Sequence, residues 1–341
     1  MASPIAADSQ NSSCSEGEHD PDTRSLGDSI LDYPVHFDRR YHKFKEGSYP
    51  FPNDTQEQLR MDFQHLCLRA AHNNRLFFAP VTTPKKVLDV GTGTGIWAID
   101  LADSDLAPGA TIIGVDLSPI QPELVPENVV FEIQDITDAD WDRPLASFDL
   151  IHSRFLMGAL EDFPRYMRNA KKYLHPGTGW IECCELDPTP ASDDDTIPKD
   201  WAFGRWNEWM EYGAKRAGRP IRIAPHLKKW MEEAGYVDVQ EVVVKIPVGS
   251  WPARADLKRI GKEWAKLAIE TLPAASYITF GKVLGWKREQ VEVFLADVRK
   301  SLTQKGVHAY CMVYSVYGRR PTLEEEQEMM QPPPRPRVTK E

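Results

Sequence analysis

Cysteine is scarce in this chain: five residues among 341, at positions 14, 67, 183, 184 and 311. Their number is odd and no C-x-x-C pair occurs, which argues against a disulfide framework or a zinc site and suits a reducing compartment. No metal is expected. Positive charge is in deficit too, with 41 Lys and Arg against 51 Asp and Glu and a net charge of −10. Neutralising phosphates takes a basic face, so direct nucleic-acid binding is not expected. Also missing is any uninterrupted apolar run long enough to cross a bilayer, and the first residues are acidic and polar, unlike a signal peptide. No membrane contact is expected, and the reading is a soluble cytoplasmic protein. Residues 1–30 have few large apolar groups and are rich in Ser, Asp and Glu, so they read as a disordered tail. Segment 321–341, with Glu324-Glu-Glu326 and Pro332-Pro-Pro-Arg-Pro-Arg337, reads the same way.

What is present is a 41% hydrophobic content with 10 Trp, 11 Tyr and 13 Phe, enough for one large domain over 31–320. Its organising stretch is Val87-Leu-Asp-Val-Gly-Thr-Gly-Thr-Gly95. Apolar residues running into three alternate glycines predict a buried parallel strand, a tight turn and the start of a helix over Ile96 to Ala102. Glycine serves there because a Cβ would block both the turn and a close-lying ligand. Gly93, Gly95 and Ala98 even satisfy the dinucleotide pattern G-x-G-x-x-A. Asp89 decides against that reading, because a carboxylate before the turn repels a pyrophosphate and suits a cofactor with a cationic amino group. S-adenosylmethionine has that group and no phosphate. Asp116 ends a second apolar run from Thr111 and suits two ribose hydroxyls. Asp135 follows a third, Val129 to Gln134, where an adenine amino group would be read. Phe148 to Ser153 supplies a fourth strand. Each acid alone would pass for a turn or helix-cap residue; the ordered set points to the cofactor.

The remaining elements fit an α/β, doubly wound, seven-stranded Rossmann-like sheet with helical lid insertions. Tyr33 to Phe51 is aromatic-rich with interleaved basic residues; a substrate or partner contact is one reading, and an irregular segment packing its rings on the domain is the preferred one. Asn53, Asp54 or Thr55 caps a helix from Gln56 to Leu76, with Leu59, Phe63, Leu66, Cys67 and Ala70 on one face. His65 and His72 read as surface or packing residues. Trp180 to Leu186 is the fifth strand, Tyr236 to Val248 the sixth and His308 to Gly318 the last. The insertions span about 187–219 and 251–305. One antiparallel strand is expected near the sheet edge.

These residues resemble the class I S-adenosylmethionine-dependent methyltransferases, and more narrowly the fungal LaeA-like family. The narrower resemblance rests on Tyr49-Pro-Phe-Pro-Asn-Asp54, Arg60-Met-Asp-Phe-Gln-His65, Val87 to Trp97, and Phe148-Asp-Leu-Ile-His-Ser-Arg154. It covers residues 40–190 well and the insertions loosely. The family's Pro-Gly-Gly-Trp turn is one residue longer here, Pro176-Gly-Thr-Gly-Trp180. The cofactor set is then Asp89, Gly91, Thr92, Gly93, Gly95, Asp116, Leu117, Asp135, Ile136 and Ser153.

Methyl transfer needs an aligned nucleophile, and a base where the acceptor is protonated. His152, at the fourth strand's end, is the candidate base, since imidazole titrates near neutrality. The alternative is that it packs on the adenosine. Arg154 either holds an acidic acceptor or pairs with Asp149 or Glu161. Glu185 is placed near the acceptor's entry. Trp206 and Trp209 are expected to line an apolar acceptor pocket beneath a lid formed by the insertions. Three functions fit: a small-molecule methyltransferase of fungal secondary metabolism, a LaeA-like nuclear regulator working through protein partners, and a catalytically silent module that binds S-adenosylmethionine.

Overall fold

In the computed structural model the described residues are 33–330, apart from positions 46 and 48. The expected tail over 1–30 lies outside them. The Val-, Ile- and Leu-rich runs form one seven-stranded sheet from β3 (Lys86–Val90), β4 (Thr111–Asp116), β5 (Val129–Ile133), β6 (Leu150–Arg154), β7 (Trp180–Ala191), β8 (Val237–Pro247) and β9 (Tyr310–Arg319). Ahead of it stands a small hairpin, β1 (Val35–His36) and β2 (Arg39–Arg40). The sheet order is β5-β4-β3-β6-β7-β9-β8. Strands β3 to β7 run parallel, and β9 is antiparallel to both β7 and β8. This is the doubly wound sheet that the strand pattern implies. Its order reverses between β3 and β6, where Asp89 sits opposite His152. Ligands of such sheets bind beyond the carboxyl ends of the strands at that reversal.

Strand β3 is buried on both faces, with Val87, Leu88 and Val90 fully excluded from solvent. One face is covered by α3 (Phe163–Tyr173) and α5 (Leu227–Glu233), around Met167, Ile181 and Met231. The other carries α1 (Thr55–Ala71) and α2 (Ile96–Ala102). The two insertions supply α4 (Ala202–Arg216), α6 (Ala255–Ser276) and α7 (Arg288–Leu302), which extend that second layer. A π-helical turn, Tyr277–Val283, continues α6 just beyond its internal Pro273.

Helix α1 departs from expectation twice. It ends at Ala71, well short of Leu76, because Asn73 and Asn74 adopt left-handed backbone angles of φ 54° and 63°. Its expected apolar face holds in part: Phe63, Cys67 and Ala70 pack on the core, but Leu59 and Leu66 are 65% and 58% exposed, and Glu57, Arg60 and His65 are buried. The inward face is polar because it borders a polar cavity. The predicted cap is Asp54, whose Oδ1 accepts from the Glu57 N–H at 3.0 Å.

The large aromatic residues of the insertions do not reach the cavity, although Arg219, at the end of the first, lines it. Trp206 is buried in a helical core, stacks on Phe203 and donates its indole N–H to Ser276 Oγ at 2.8 Å. Trp209 is on the outer side, edge-on to Tyr212 and Trp286. Within the segment expected to be a disordered tail, α8 (Leu323–Met330) forms instead. Thr322 caps it, and Arg319 and Arg320 pair with Glu325 and Glu326; the rest of that segment, from 331, lies outside the described residues.

If Trp206 is core, Trp206→Ala should lower unfolding free energy by about 3–5 kcal/mol and leave nucleoside affinity in the still-folded protein unchanged. Chemical denaturation and calorimetry measure the two; an intact stability with lost ligand affinity would restore the lid.

Candidate active site

The turn after β3 has Gly91, Gly93 and Gly95 at φ +68°, +59° and +80°, a left-handed sequence that other residues rarely adopt. A Cβ on Gly91 would come 2.5 Å from Leu156 Cδ2, and one on Gly95 would strike the Phe131 ring. Gly95 therefore serves packing and is not at the cavity surface, whereas Gly91, Thr92 and Gly93 border it. Thr92 Oγ1 donates to Asp89 Oδ2 at 2.6 Å. The other oxygen, Oδ1, lies 2.8 Å from His152 Nδ1.

His152 is 1% exposed and stacks on the Trp97 indole, centroids 3.7 Å apart and planes 3° from parallel. Burial pulls its pKa below the ordinary histidine value, against the upward pull of Asp89. A neutral ring with its Nδ1–H on Asp89 satisfies that geometry. His152 thus fixes the carboxylate, and the indole fixes His152.

Asp116 accepts from the Gly93 N–H at 2.9 Å and the Ser118 N–H at 3.0 Å, and burial pushes its pKa up to about 6. Asp135 Oδ1 accepts from the backbone and hydroxyl of Thr137. Its Oδ2 is 3.5 Å from Lys45 Nζ, which also reaches Asp138. Lys45 belongs to the aromatic-rich stretch before α1, so that stretch is a strap over the strand ends. Asn53 ties it down by donating to Ser118 Oγ at 3.3 Å, and Arg39 pairs with Asp54 at 2.6 Å.

Beneath the strap lies a cavity of about 700 Å³. Asp89, Asp116, Leu117, Asp135, Ile136, His152 and Arg154 all line it, with the glycine turn. Ser153 does not: strand alternation turns it to the opposite face, where it is fully buried near Tyr166 and Cys183. Glu185 is also buried away from it, accepting from the Leu156 and Met157 N–H groups at 2.8 and 3.1 Å. Trp206 and Trp209 are outside as well. Arg154 pairs with neither expected acid; Asp149 accepts from the backbone of Lys85 and Lys86, and Glu161 from Arg219.

A leading helix across the pocket follows from the sequence pattern, but the individual wall residues of the strap (His42, Lys45, Tyr49 and Phe51) and of α1 (Arg60, Met61 and Gln64) were not singled out by it. The available signal was the polar series Glu57, Arg60, Gln64, spaced three and four apart, which marks one helix face as surely as apolar residues do.

The cradle suits S-adenosylmethionine: a glycine turn follows β3, and the acids Asp89, Asp116 and Asp135 at three strand ends suit a cationic, phosphate-free nucleoside. With the sheet order, this defines a class I S-adenosylmethionine-dependent methyltransferase. A family model described as a methyltransferase domain matches residues 57–241, and the chain belongs to that family. It is 38% identical over 304 residues to methyltransferase pytC of Aspergillus terreus, covering 89% of this chain and 92% of that one. It is 37% identical over 289 residues to the secondary metabolism regulator LAE1 of Cochliobolus heterostrophus, covering 83% and 93%. Among solved structures it is similar to Haemonchus contortus phosphoethanolamine N-methyltransferase 2 in complex with S-adenosyl-L-methionine. That likeness has 14% identity and a TM-score of 0.43, and it covers 81% of this chain and 55% of that one.

Asp116 gives a signed pH prediction. Its ionised form accepts from ribose hydroxyls, so S-adenosylhomocysteine affinity should fall as pH drops through about 6 and stay flat in Asp116→Asn. At pH 7.5, Asp116→Ala should weaken binding by ~1.5–3 kcal/mol. Titration calorimetry across pH 5.5–8 (roughly one to two units around neutrality) reads both; a sloping profile in the Asn variant would reassign the titrating group.

Proposed function

We propose that the chain transfers a methyl group from S-adenosylmethionine to a small-molecule acceptor of fungal secondary metabolism. The carrying observation is the cavity, whose lining includes the acidic strand ends together with Arg60, Arg154, Phe155 and Leu156. Its size falls within the range of small-ligand sites, about 300–1,000 Å³, and its walls favour a compact acceptor over a protein surface. The relative named methyltransferase pytC supports the same reading.

When bound, the cofactor supplies an electrophilic methyl group on a sulfonium. The chain's part is placement. Asp89 is aimed by Thr92 and His152 to receive an amino group, Asp116 faces the ribose and Asp135 the adenine amino group, with Leu117 and Ile136 as apolar walls. The strap keeps water from the reacting centre. His152 is proposed as a positioning residue in place of the base, since its Nδ1 is engaged by Asp89 and one ring face by Trp97. Lys45 competes with adenine for Asp135, so cofactor entry involves a shift of that ammonium.

A second reading is a LaeA-like regulator, nuclear and acting through protein partners; the relative named secondary metabolism regulator LAE1 supports its regulatory part. Incubating the protein with methyl-labelled S-adenosylmethionine and an extract of the producing fungus separates the two. The expected outcome is label in a small organic product and a tagged copy in the cytoplasm. Label confined to protein, with the tagged copy in nuclei, would overturn the small-molecule reading.

Positioning by His152 makes its own prediction. His152→Gln should raise KM for the cofactor roughly 10-fold, the scale of one charge-assisted hydrogen bond, while kcat changes little. A large fall in kcat with KM unchanged would return His152 to the base role.

A further inference from the structure

Strand β6 ends at Arg154, whose side chain leaves on the same face as His152 and borders the cavity. Among the described residues no carboxylate pairs with its guanidinium. The acids around it are committed: Asp89 to Thr92 and His152, Asp100 to His65 and Arg69, Glu182 to the Phe78 and Ala79 N–H groups, and Glu185 to Leu156 and Met157. Arg154 Nη2 donates to His65 Nδ1 at 3.1 Å.

His65 supplies orientation without charge. It is fully buried, and its Nε2 lies 2.7 Å from Asp100 Oδ2, an oxygen shared with Arg69 at 2.6 Å. An Nδ1 that accepts from a guanidinium places the ring proton on Nε2, toward Asp100. Burial and the nearby Arg154 hold the His65 pKa down at about 4, so the ring is neutral. The result is a cation withdrawn from bulk water, aimed by a neutral ring and left without a counter-charge. Such a charge is costly unless a partner arrives, and a guanidinium fork matches a carboxylate in two parallel hydrogen bonds.

We propose that Arg154 is the carboxylate-binding group of the cavity, taking an acid group carried by a bound small molecule. This rests on the methyltransferase reading and adds a chemical class to it. Two ligands carry such a group: the amino-acid end of S-adenosylmethionine and an acidic acceptor. The placement suits the first, because Asp89 and Arg154 stand at adjoining strand ends, one an anion for the amino group and one a cation for the carboxylate.

The test is calorimetry on the full chain and on Arg154→Gln, with S-adenosylmethionine, its decarboxylated analogue and 5′-methylthioadenosine. Wild type is expected to prefer S-adenosylmethionine over the decarboxylated compound by roughly 10- to 100-fold. Arg154→Gln should erase that preference and leave methylthioadenosine binding unchanged, which also shows that the variant is folded. Arg154→Lys, which keeps charge without the fork, should recover part of it. If the preference survives in Arg154→Gln, benzoate is titrated into each protein saturated with S-adenosylhomocysteine. Saturable benzoate binding by wild type, lost in the variant, assigns the group to the acceptor. A surviving preference with no difference in benzoate binding overturns the proposal, as does a wild type that binds S-adenosylmethionine and its decarboxylated analogue equally. Failure of wild type to bind any of the three nucleosides overturns the methyltransferase reading together with it.

Discussion

Asp89 lies 3% exposed at the point where the strand order reverses, and both of its oxygens are committed. Thr92 ties it to the glycine turn, His152 ties it to β6, and the Trp97 indole beneath His152 ties it to α2. A carboxylate removed from water is expensive unless hydrogen-bonded, so these partners are needed for the acid to exist there at all. They also set its direction, because a side chain held by two donors from different elements has little freedom left. The turn, the fourth parallel strand and the first helix of the sheet are thereby fixed to one another through a single group. Everything placed around that group, including Asp116 and Asp135 on the neighbouring strand ends, inherits its geometry.

The cavity is lined by charges of both signs. Asp89, Asp116 and Asp135 line it from the β3, β4 and β5 ends, Asp138, Glu161 and Asp162 from later loops, Arg154 from β6 and Arg60 from α1. Arg60 is internally neutralised by Glu57 at 2.7 Å and held by Gln64 at 2.6 Å. Arg154 is oriented and not neutralised. Arg219, also on its wall, pairs with Glu161 at 3.0 Å, so the arginines of one cavity differ in physical status, and Arg154 has a reason to wait for an anion. Lys45 is a third kind of cation: it is about half exposed, on the strap, and pairs with Asp135 and Asp138 through contacts of 3.5 and 3.7 Å that solvent screens. A loosely held ammonium over a rim acid is the part of this arrangement easiest to displace.

Much of the architecture was legible in the sequence because parallel strands announce themselves. Val87 to Val90 and Thr111 to Val115 are short apolar runs closed by an acid or glycine, and the strands fall on them within a residue or two. The glycine turn was legible because it combines three residues with one conformational need. Helix α1 was legible only in part: Phe63, Cys67 and Ala70 pack on the core as the apolar period implies, whereas Glu57, Arg60 and His65 are also buried and Leu59 and Leu66 face outward. A helix that borders a polar cavity breaks the ordinary pattern at its functional face. The insertions misled for the opposite reason. Trp201, Phe203 and Trp206 recur at helical spacing, which is what core demands, and they pack against Leu267, Phe280 and Leu295 instead of opening toward a ligand. Arg154 was located correctly by its motif, but which acids it would ignore depends on tertiary contacts that no local pattern carries.

The same physics explains the two acids of β7. Glu182 receives the N–H groups of Phe78 and Ala79 on one oxygen, and Glu185 receives those of Leu156 and Met157 on separate oxygens. Each anchors a loop whose backbone donors would otherwise be buried without acceptors, a larger loss than the desolvation of one acid shared between two donors. Burial raises the two pKa values to about 7 and about 8. A folded-state value above the unfolded one means that the native protein binds more protons, so these groups favour folding most at acid pH and less as pH rises through 7 and 8. Their geometries differ in what protonation does. Glu182 can take a proton on the oxygen that accepts nothing, and keeps both loop contacts. Glu185 has no such spare oxygen, so its proton competes with Leu156 or Met157, and Leu156 is a wall of the cavity. The loop that shapes the ligand space is therefore held by the acid whose charge state matters more.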